Sequence, residues 1–138
     1  MTVQKDTSFV VQKYIKRPAL IKKHKFDFRI YVLITAVIDP ISIFLYKDGL
    51  VRLASEEYQG NKNFHDTYQH LTNYSLNKKN TNFSNDEHKL RLSECLRGTL
   101  TQPAYKPGVP GASREAEEIW KEIEGIIIKT VLAVQPQL

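Results

Sequence analysis

The segment that most restricts the fold is the stretch from residue 25 to residue 38, where charged and apolar side chains first alternate and a mainly apolar run follows. Side chains point to opposite faces along an extended chain, so the alternating part has one charged face and one apolar face. We therefore predict a long strand over residues 26–38. The alternative is an ordinary surface strand whose charged side is only solvated. The charged residues are Lys25, Asp27 and Arg29, and the apolar residues are Phe26, Phe28 and Ile30.

Turn signals divide the rest of the first half into strands. Pro18 ends an apolar stretch, Asp39 and Pro40 form a turn after the long strand, and the pair Asp48-Gly49 favours the positive backbone angles of a tight hairpin. The sequence therefore predicts an antiparallel meander. Its other strands are residues 9–11 with 14–15 as a short buried strand, 41–46 and 50–54.

The second half predicts loops and two helices. Residues 1–8 and 55–69 lack periodicity, and residues 103–113 form a Pro- and Gly-rich connector. Apolar residues at helical spacing predict a helix over 86–100, and Ser113 is a suitable N-cap for a second helix over 114–134. We therefore expect an α+β fold with helices packed on one side of the sheet. The helix stripes are Leu92, Cys95, Leu96 and Leu100 in the first, and Ile119, Ile123, Ile126 or Ile127, Val131 and Val134 in the second.

Length and composition limit the class of protein. The 138 residues, of which 41% are hydrophobic, suffice for one small core, so we expect one domain or part of one. Cys95 is the single cysteine, which excludes an internal disulfide framework and favours a reducing, cytoplasmic setting. The apolar runs are too short or too interrupted to span a bilayer, so we expect no membrane partner.

Positive charge is concentrated in the first part of the chain. Residues 1–52 contain ten Lys or Arg and four acidic residues, a net charge of +6, whereas residues 53–138 contain ten and eleven, a net charge of −1. A cationic cleft in this part would suit phosphates, an acidic protein tail or a nucleic acid. A basic face that serves only solubility is the alternative.

Four motifs occur in a fixed order: VVQKYI at 10–15, KFDFRIYVL at 25–33, KDGLVR at 47–52 and HLTNYSLNKKN at 70–80. Together they resemble the tubulin tyrosine ligase-like family of ATP-grasp amino-acid ligases, and they look most like its polyglutamylases. The resemblance implies that residues 1–138 are the central part of such a catalytic domain. It also implies ATP as cofactor, and Mg²⁺ whose ligands lie downstream, so no metal ligand is expected within this chain.

The resemblance also implies roles for individual residues. Arg29 and Arg52 are the expected catalytic residues, since a guanidinium group holds a phosphoryl or carboxylate group in bidentate geometry. His70 is expected to support the site. The ATP contacts it implies are Gln12, Lys13, Tyr14, Ile15, Lys25, Asp27, Thr72 and Asn73. The amino-acid contacts are Arg52, Tyr74, Ser75 and, as the weakest match, Lys89. The structural alternatives are an ordinary strand end at residues 12–15, a cross-strand ion pair at Lys25 and Asp27, and a surface arginine at Arg52.

The family's chemistry gives the functional prediction. ATP phosphorylates a carboxylate, an amine attacks the acylphosphate, and an amide forms on an acidic tubulin tail. We therefore predict a ligase that adds free glutamate to tubulin, in the cytoplasm at the cytoskeleton, with the cilium or basal body as a further location. The alternatives are a tubulin glycine ligase and a truncated, non-catalytic module that binds tubulin tails. A nucleic-acid-binding protein is disfavoured because no recognised nucleic-acid motif is present.

Overall fold

The computed structural model describes residues 10–38, 40–60, 63–98 and 116–135. The predicted loop at 1–8, the connector at 103–113 and the cap at Ser113 lie outside the described residues. The strands are β1 (Leu20–Ile21), β2 (His24–Ala36), β3 (Ser42–Leu53) and β4 (Lys89–Arg91). The helices are α1 (Thr67–His70), α2 (Tyr74–Asn77), α3 (Asn85–His88), α4 (Leu92–Gly98) and α5 (Ala116–Val134).

The four strands form one antiparallel sheet in the order β1-β2-β3-β4. The long predicted strand is confirmed as β2, and the α+β class is confirmed. Asp27 lies directly opposite Arg52 across the β2–β3 ladder, and Arg52 lies opposite Lys89 on β4. This register brings charged residues from three strands together.

The predicted hairpin at Asp48-Gly49 is wrong, because β3 runs through it as a single strand. Ile30 pairs with Gly49 and Val32 pairs with Leu45, so residues 46–48 form a bulge opposite a single residue of β2. The Asp48 carboxylate accepts hydrogen bonds from the backbone N–H groups of Gly49 at 2.8 Å and Ser93 at 3.0 Å. These bonds lower the pKa of Asp48. The pair Asp48-Gly49 therefore stabilises a bulge, and Asp48 connects this bulge to α4 through the hydrogen bond from Ser93.

The predicted short strand at residues 9–15 is also wrong over its described part. Residues 10–15 pair with no strand, and Val10, Val11 and Ile15 are 86%, 86% and 71% exposed. Side chains hold this segment in place of a ladder: Tyr14 is hydrogen-bonded to His70 at 2.7 Å. An apolar run alone could not distinguish a buried strand from this exposed segment without strand pairing.

The helix predicted over 86–100 is interrupted. Residues 89–91 form β4 because they pair with residues 50–52 of β3, and this pairing separates α3 from α4. The predicted apolar stripe is nevertheless buried at Leu92, Cys95 and Leu96, whereas Leu100 lies outside the described residues. Burial raises the pKa of the Cys95 thiol. Tertiary pairing has therefore overridden local helical spacing.

Helix α5 is confirmed from Ala116 onward, and most of its predicted stripe faces inward. Ile119 and Val131 are buried, and Ile126 is 64% exposed, so Ile127 is the inward member of that pair. Val134 was predicted to belong to the stripe, but it is 39% exposed at the end of the helix, so the prediction is wrong there. Among the described residues, no helix is long and apolar enough to cross a membrane.

The core lies on the apolar side of the sheet. Phe26, Phe28 and Ile30 pack against it, which confirms the predicted apolar face of β2. Helix α5 runs along the same side. Lys47 of β3 forms an ion pair with Glu124 of α5, and the side chain of Gln135 donates a hydrogen bond to the backbone carbonyl oxygen of Val37. The charged face of β2 lies on the opposite side of the sheet from the core and can therefore contribute to a binding site. The buried core residues are Ile21, Val51, Leu53, Leu92, Cys95, Leu96 and Ile119.

Gly49 is expected to be intolerant of any side chain. A Cβ atom there would overlap the backbone carbonyl oxygen of Arg29, whereas a Cβ atom at Gly125 in α5 meets nothing within 4 Å. We expect Gly49→Ala to lower the free energy of unfolding by about 2 kcal/mol through overpacking. Gly125→Ala, the matched control, should raise it by about 0.5–1 kcal/mol, because glycine weakens a helix interior. Chemical denaturation of both variants measures this, and equal effects would contradict the bulge geometry.

Candidate functional site

A carboxylate bound by two arginines lies on the charged side of the sheet. Arg52 donates from Nε to Asp27 Oδ1 at 3.0 Å and from Nη2 to Asp27 Oδ2 at 2.6 Å. Arg29 Nε lies 3.0 Å from the same Oδ2. The two arginines therefore share one carboxylate, and their summed charge exceeds it by one. Such an excess of positive charge favours an anionic ligand nearby.

The two arginines line a cavity of about 310 Å³, which we call the arginine pocket. Its size is at the lower end of the range for small-molecule sites. Lys89 from β4 adds a third cation, and Thr72 and Tyr74 add hydroxyl groups that can donate or accept hydrogen bonds. The pocket can therefore bind a small anion with several polar groups. Its lining residues are Arg29, Tyr31, Leu50, Arg52, Leu53, Thr72, Tyr74, Asn77, Phe83, His88 and Lys89.

Asn77 fixes the loop that lines one side of the arginine pocket. Its Oδ1 accepts from the backbone N–H and the hydroxyl of Ser55 at 2.8 and 2.7 Å. Its Nδ2 donates to the carbonyl oxygens of Leu71 at 2.8 Å and Asn73 at 3.0 Å. The side chain is 1% exposed. One buried amide thus joins the end of β3 to the backbone on both sides of Thr72.

A second, more open cleft of about 720 Å³ lies beside the first, and we call it the hinge cleft. The segment before β1 forms one wall, and Lys25, Phe26, His70 and Leu71 complete it. Its polar groups lie among apolar and aromatic side chains, as in small-molecule sites generally. The segment contributes Gln12, Lys13, Tyr14, Ile15, Arg17, Pro18 and Ala19.

His70 organises the hinge cleft. Its Nε2 lies 2.9 Å from the carbonyl oxygen of Asn63, which can only accept, so Nε2 carries a proton and donates. In the neutral ring, Nδ1 therefore accepts from the Tyr14 hydroxyl at 2.7 Å. The ring of Phe64 stacks on the imidazole with centroids 5.7 Å apart. The expected supporting role of His70 thus has a geometric basis.

Lys25 extends the same network into the hinge cleft. Its ammonium donates to the Tyr14 hydroxyl at 3.3 Å and lies 4.6 Å from the centre of that ring. Burial lowers the pKa of Lys25. A partly desolvated ammonium group gains from an anion placed beside it, so this cation is suited to a phosphate group.

The residues predicted from the sequence divide between the two cavities. Asp27, Asn73 and Ser75 line neither cavity, although Asp27 contacts Arg29 and Arg52 of the arginine pocket. The hinge cleft contains Gln12, Lys13, Tyr14, Ile15, Lys25 and His70. The arginine pocket contains Arg29, Arg52, Thr72, Tyr74 and Lys89.

Several pocket residues were missed by sequence reasoning. Asn77 is part of the quoted motif HLTNYSLNKKN, and an asparagine within a short helix could have been recognised as a side chain that bonds to the backbone. The remaining residues carry no local signal because they approach the pocket from separate elements. They are Tyr31, Leu50, Leu53, Phe83 and His88.

Over the described ranges, no group of three or more His, Cys, Asp or Glu side chains is arranged to hold a metal ion. Mg²⁺ prefers several oxygen ligands, and the one carboxylate of the site is already bound by two guanidinium groups. The described residues therefore do not fit a magnesium site, and the roles given to them below do not depend on one.

Sequence comparison with known proteins identifies the family of this chain and several similar proteins. The family model for the tubulin-tyrosine ligase family matches residues 1–138. The chain is 36% identical over 138 residues to tubulin polyglutamylase TTLL7 of Xenopus tropicalis, covering 99% of this chain and 14% of that protein. It is 39% identical over 132 residues to a probable beta-tubulin polyglutamylase of Tetrahymena thermophila, covering 94% and 11%. It is 40% identical over 136 residues to human tubulin polyglutamylase TTLL6, covering 97% and 14%.

Proposed function

Because the chain belongs to the tubulin-tyrosine ligase family, we propose that it supplies the substrate-binding centre of an ATP-dependent ligase that adds glutamate to tubulin. The observation that carries the proposal is the pair Arg29 and Arg52 on one wall of a pocket, beside a larger cleft with a partly buried lysine. The similar proteins described above are named as tubulin polyglutamylases. The chain spans 11% to 14% of their length, so the activity of a whole protein is part of the proposal.

The hinge cleft is the proposed ATP site. Backbone groups of residues 12–15 would pair with the edge of the adenine, and Lys25 would neutralise a phosphate group. ATP supplies the phosphoryl group that activates a carboxylate for attack by an amine. The protein's part in that step is to orient the reactants and exclude competing geometries. Thr72 lies in the arginine pocket, next to Leu71 of the hinge cleft, so its hydroxyl would sit near the phosphate end.

The arginine pocket is the proposed amino-acid site. Arg29, Arg52 and Lys89 give it three cations, and the hydroxyl of Tyr74 adds a donor. Glutamate brings two carboxylates and glycine only one, so the larger charge of glutamate uses the cations more fully. This difference supports glutamate over glycine as the added amino acid.

Competition between amino acids tests that choice. Protein expressed from the full natural open reading frame is incubated with tubulin, ATP and equal concentrations of labelled glutamate and glycine. We expect glutamate to be incorporated at least about tenfold faster, since one extra charge-assisted hydrogen bond contributes about 1.5–3 kcal/mol. Faster incorporation of glycine would replace this proposal with a glycine ligase.

Lys25 tests the assignment of the hinge cleft. We expect Lys25→Ala to raise KM for ATP by about tenfold or more, because a charge-assisted bond to phosphate is lost, with a much smaller change in KM for glutamate. Lys47→Ala is the matched control, since the Lys47 side chain is 73% exposed and forms only a long ion pair of 3.8 Å with Glu124. Steady-state kinetics with each substrate varied in turn measure both constants. A change confined to KM for glutamate would contradict the assignment of the hinge cleft as the ATP site.

A tubulin-tail ligase would act at microtubules, so we place this protein at the cytoskeleton. Location at the cilium stays a prediction. The alternative of a non-catalytic module that binds tubulin tails is favoured by the net charge of +6 in residues 1–52. Salt-sensitive tubulin binding without ATP turnover by the same protein would support that alternative.

A further inference from the structure

Asp27 is bound by its neighbours in a way that nucleotide binding does not explain. Both of its oxygens accept hydrogen bonds from Arg52, at 3.0 and 2.6 Å, and Oδ2 also forms an ion pair with Arg29 at 3.0 Å. Its side chain is 32% exposed, and that of Arg52 is only 18% exposed. Bidentate pairs of this kind fix the plane of the guanidinium group as well as its position.

We infer that Asp27 is a positioning residue that holds Arg52 and Arg29 in the geometry that binds the amino acid. The inference rests on the proposed function, because it takes the arginine pocket as the amino-acid site. A guanidinium group has more N–H donors than the two that Arg52 gives to Asp27, so the others stay available for a substrate anion. Asp27 therefore fixes the orientation of the Arg52 guanidinium group, and the remaining N–H groups of Arg52 stay available for a ligand.

Charge supports the same role. Two guanidinium groups that approach one another repel, and a shared carboxylate offsets that repulsion. Without Asp27, Arg52 would lose its bidentate partner, and Arg29, whose side chain is 46% exposed, would lose a partner at 3.0 Å. Both side chains would then sample more rotamers, and a substrate would have to order them on binding.

Binding to ribose would make different demands on Asp27. Both carboxylate oxygens already accept a hydrogen bond from Arg52, and Arg29 lies 3.0 Å from Oδ2, so a ribose hydroxyl would compete with the arginines for Asp27. Asp27 itself lines neither cavity, but its partners Arg52 and Arg29 both line the arginine pocket and neither lines the hinge cleft. The geometry thus connects Asp27 to the amino-acid side of the site.

Asp27→Asn separates these two roles, because the amide keeps the shape of the side chain and removes its charge. We expect KM for glutamate to rise by about tenfold or more, as expected when reactive groups are misplaced, and KM for ATP to change less than about twofold. The ratio of kcat/KM for ATP to that for 2′-deoxy-ATP and 3′-deoxy-ATP should stay at the wild-type value. A rise in KM for ATP together with loss of this discrimination would overturn the inference and assign Asp27 to the ribose.

Arg52→Lys probes the pair from its other end. If Asp27 acts through Arg52, the effects of Asp27→Asn and Arg52→Lys on KM for glutamate should be strongly non-additive in the double variant. Additive effects would contradict a role through Arg52. Thermal unfolding of each variant shows whether it is folded.

A second readout does not depend on ligase activity. In the wild-type protein, the NMR signals of the Nε–H groups of Arg52 and Arg29 should report bound guanidinium groups, and Asp27→Asn should shift both. Unchanged signals would overturn the inference. If the wild-type protein transfers no amino acid but these signals shift as expected, the proposed function fails and the positioning role of Asp27 stands.

Discussion

Replacement of Arg52 by alanine is expected to lower kcat/KM for glutamate addition by about 100- to 1,000-fold, the effect of removing one preorganised donor to a developing charge. Arg52 is the less exposed of the two arginines, at 18% against 46%, and it lines the pocket from the C-terminal end of β3. Its removal would lose the substrate contact and also leave Asp27 without its bidentate partner. Steady-state rates with protein expressed from the full natural open reading frame measure the loss.

Two variants make the Arg52 experiment specific. Arg52→Lys keeps the charge but not the planar fork, so we expect it to recover only part of the activity. Arg91→Ala removes an arginine from the neighbouring strand whose side chain is 68% exposed and lies 3.8 Å from Asp48, so it should retain nearly full activity. Equal rates for Arg52→Ala and Arg91→Ala would exclude Arg52 from the site.

Replacement of Asn77 by alanine is expected to cost about 4 kcal/mol of folding free energy. The change removes four hydrogen bonds at once. It leaves the N–H of buried Ser55 and the carbonyl of Leu71 to find other partners, and each unsatisfied buried group costs about 1–3 kcal/mol. A loss of this size is a large fraction of the stability of an ordinary domain. Denaturant unfolding of the purified variant measures it.

Asn82→Ala is the matched control for Asn77→Ala. The Asn82 side chain is exposed, and its amide donates only to Glu56, at 2.9 Å. Its removal should change the free energy of unfolding by less than about 0.5 kcal/mol. A similarly small effect at Asn77 would mean that the loop around Thr72 does not depend on this buried amide.

The part of the fold that could be predicted was encoded locally. The alternation from Lys25 to Ile30 predicts the two faces of β2, because an extended backbone fixes the direction of each side chain. The stripe of α5 was predicted for the same reason, with Ile119 and Val131 buried. These patterns need no knowledge of distant residues.

The parts that could not be predicted depend on distant pairing. Asp48-Gly49 signals a turn by itself, but hydrogen bonds to the start of α4 and the register with β2 make it a bulge. Residues 89–91 have helical neighbours on both sides, and the edge of β3 draws them into the sheet. Local propensity is a weak prior where such a partner exists.

The sequence indicates candidate residues for the site but not how they are arranged. Tyr14 and His70 are 56 residues apart, and only the structure shows that they share a hydrogen bond in one cleft. Asp27 does form a cross-strand ion pair, but its partner is Arg52. Lys25 instead donates a hydrogen bond to the Tyr14 hydroxyl. Charge complementarity along one strand could not indicate which partner each residue would take.

Mass spectrometry of tubulin tails tests the central claim most directly. Protein expressed from the full natural open reading frame is incubated with tubulin, ATP and glutamate, and the tails are compared with those from reactions lacking ATP or containing Arg52→Ala. The account predicts tails extended by whole glutamyl residues, one ADP released per residue added, and neither product in the two control reactions. Unmodified tails in the complete reaction, with tubulin bound but no ADP released, would contradict the account and favour a binding module.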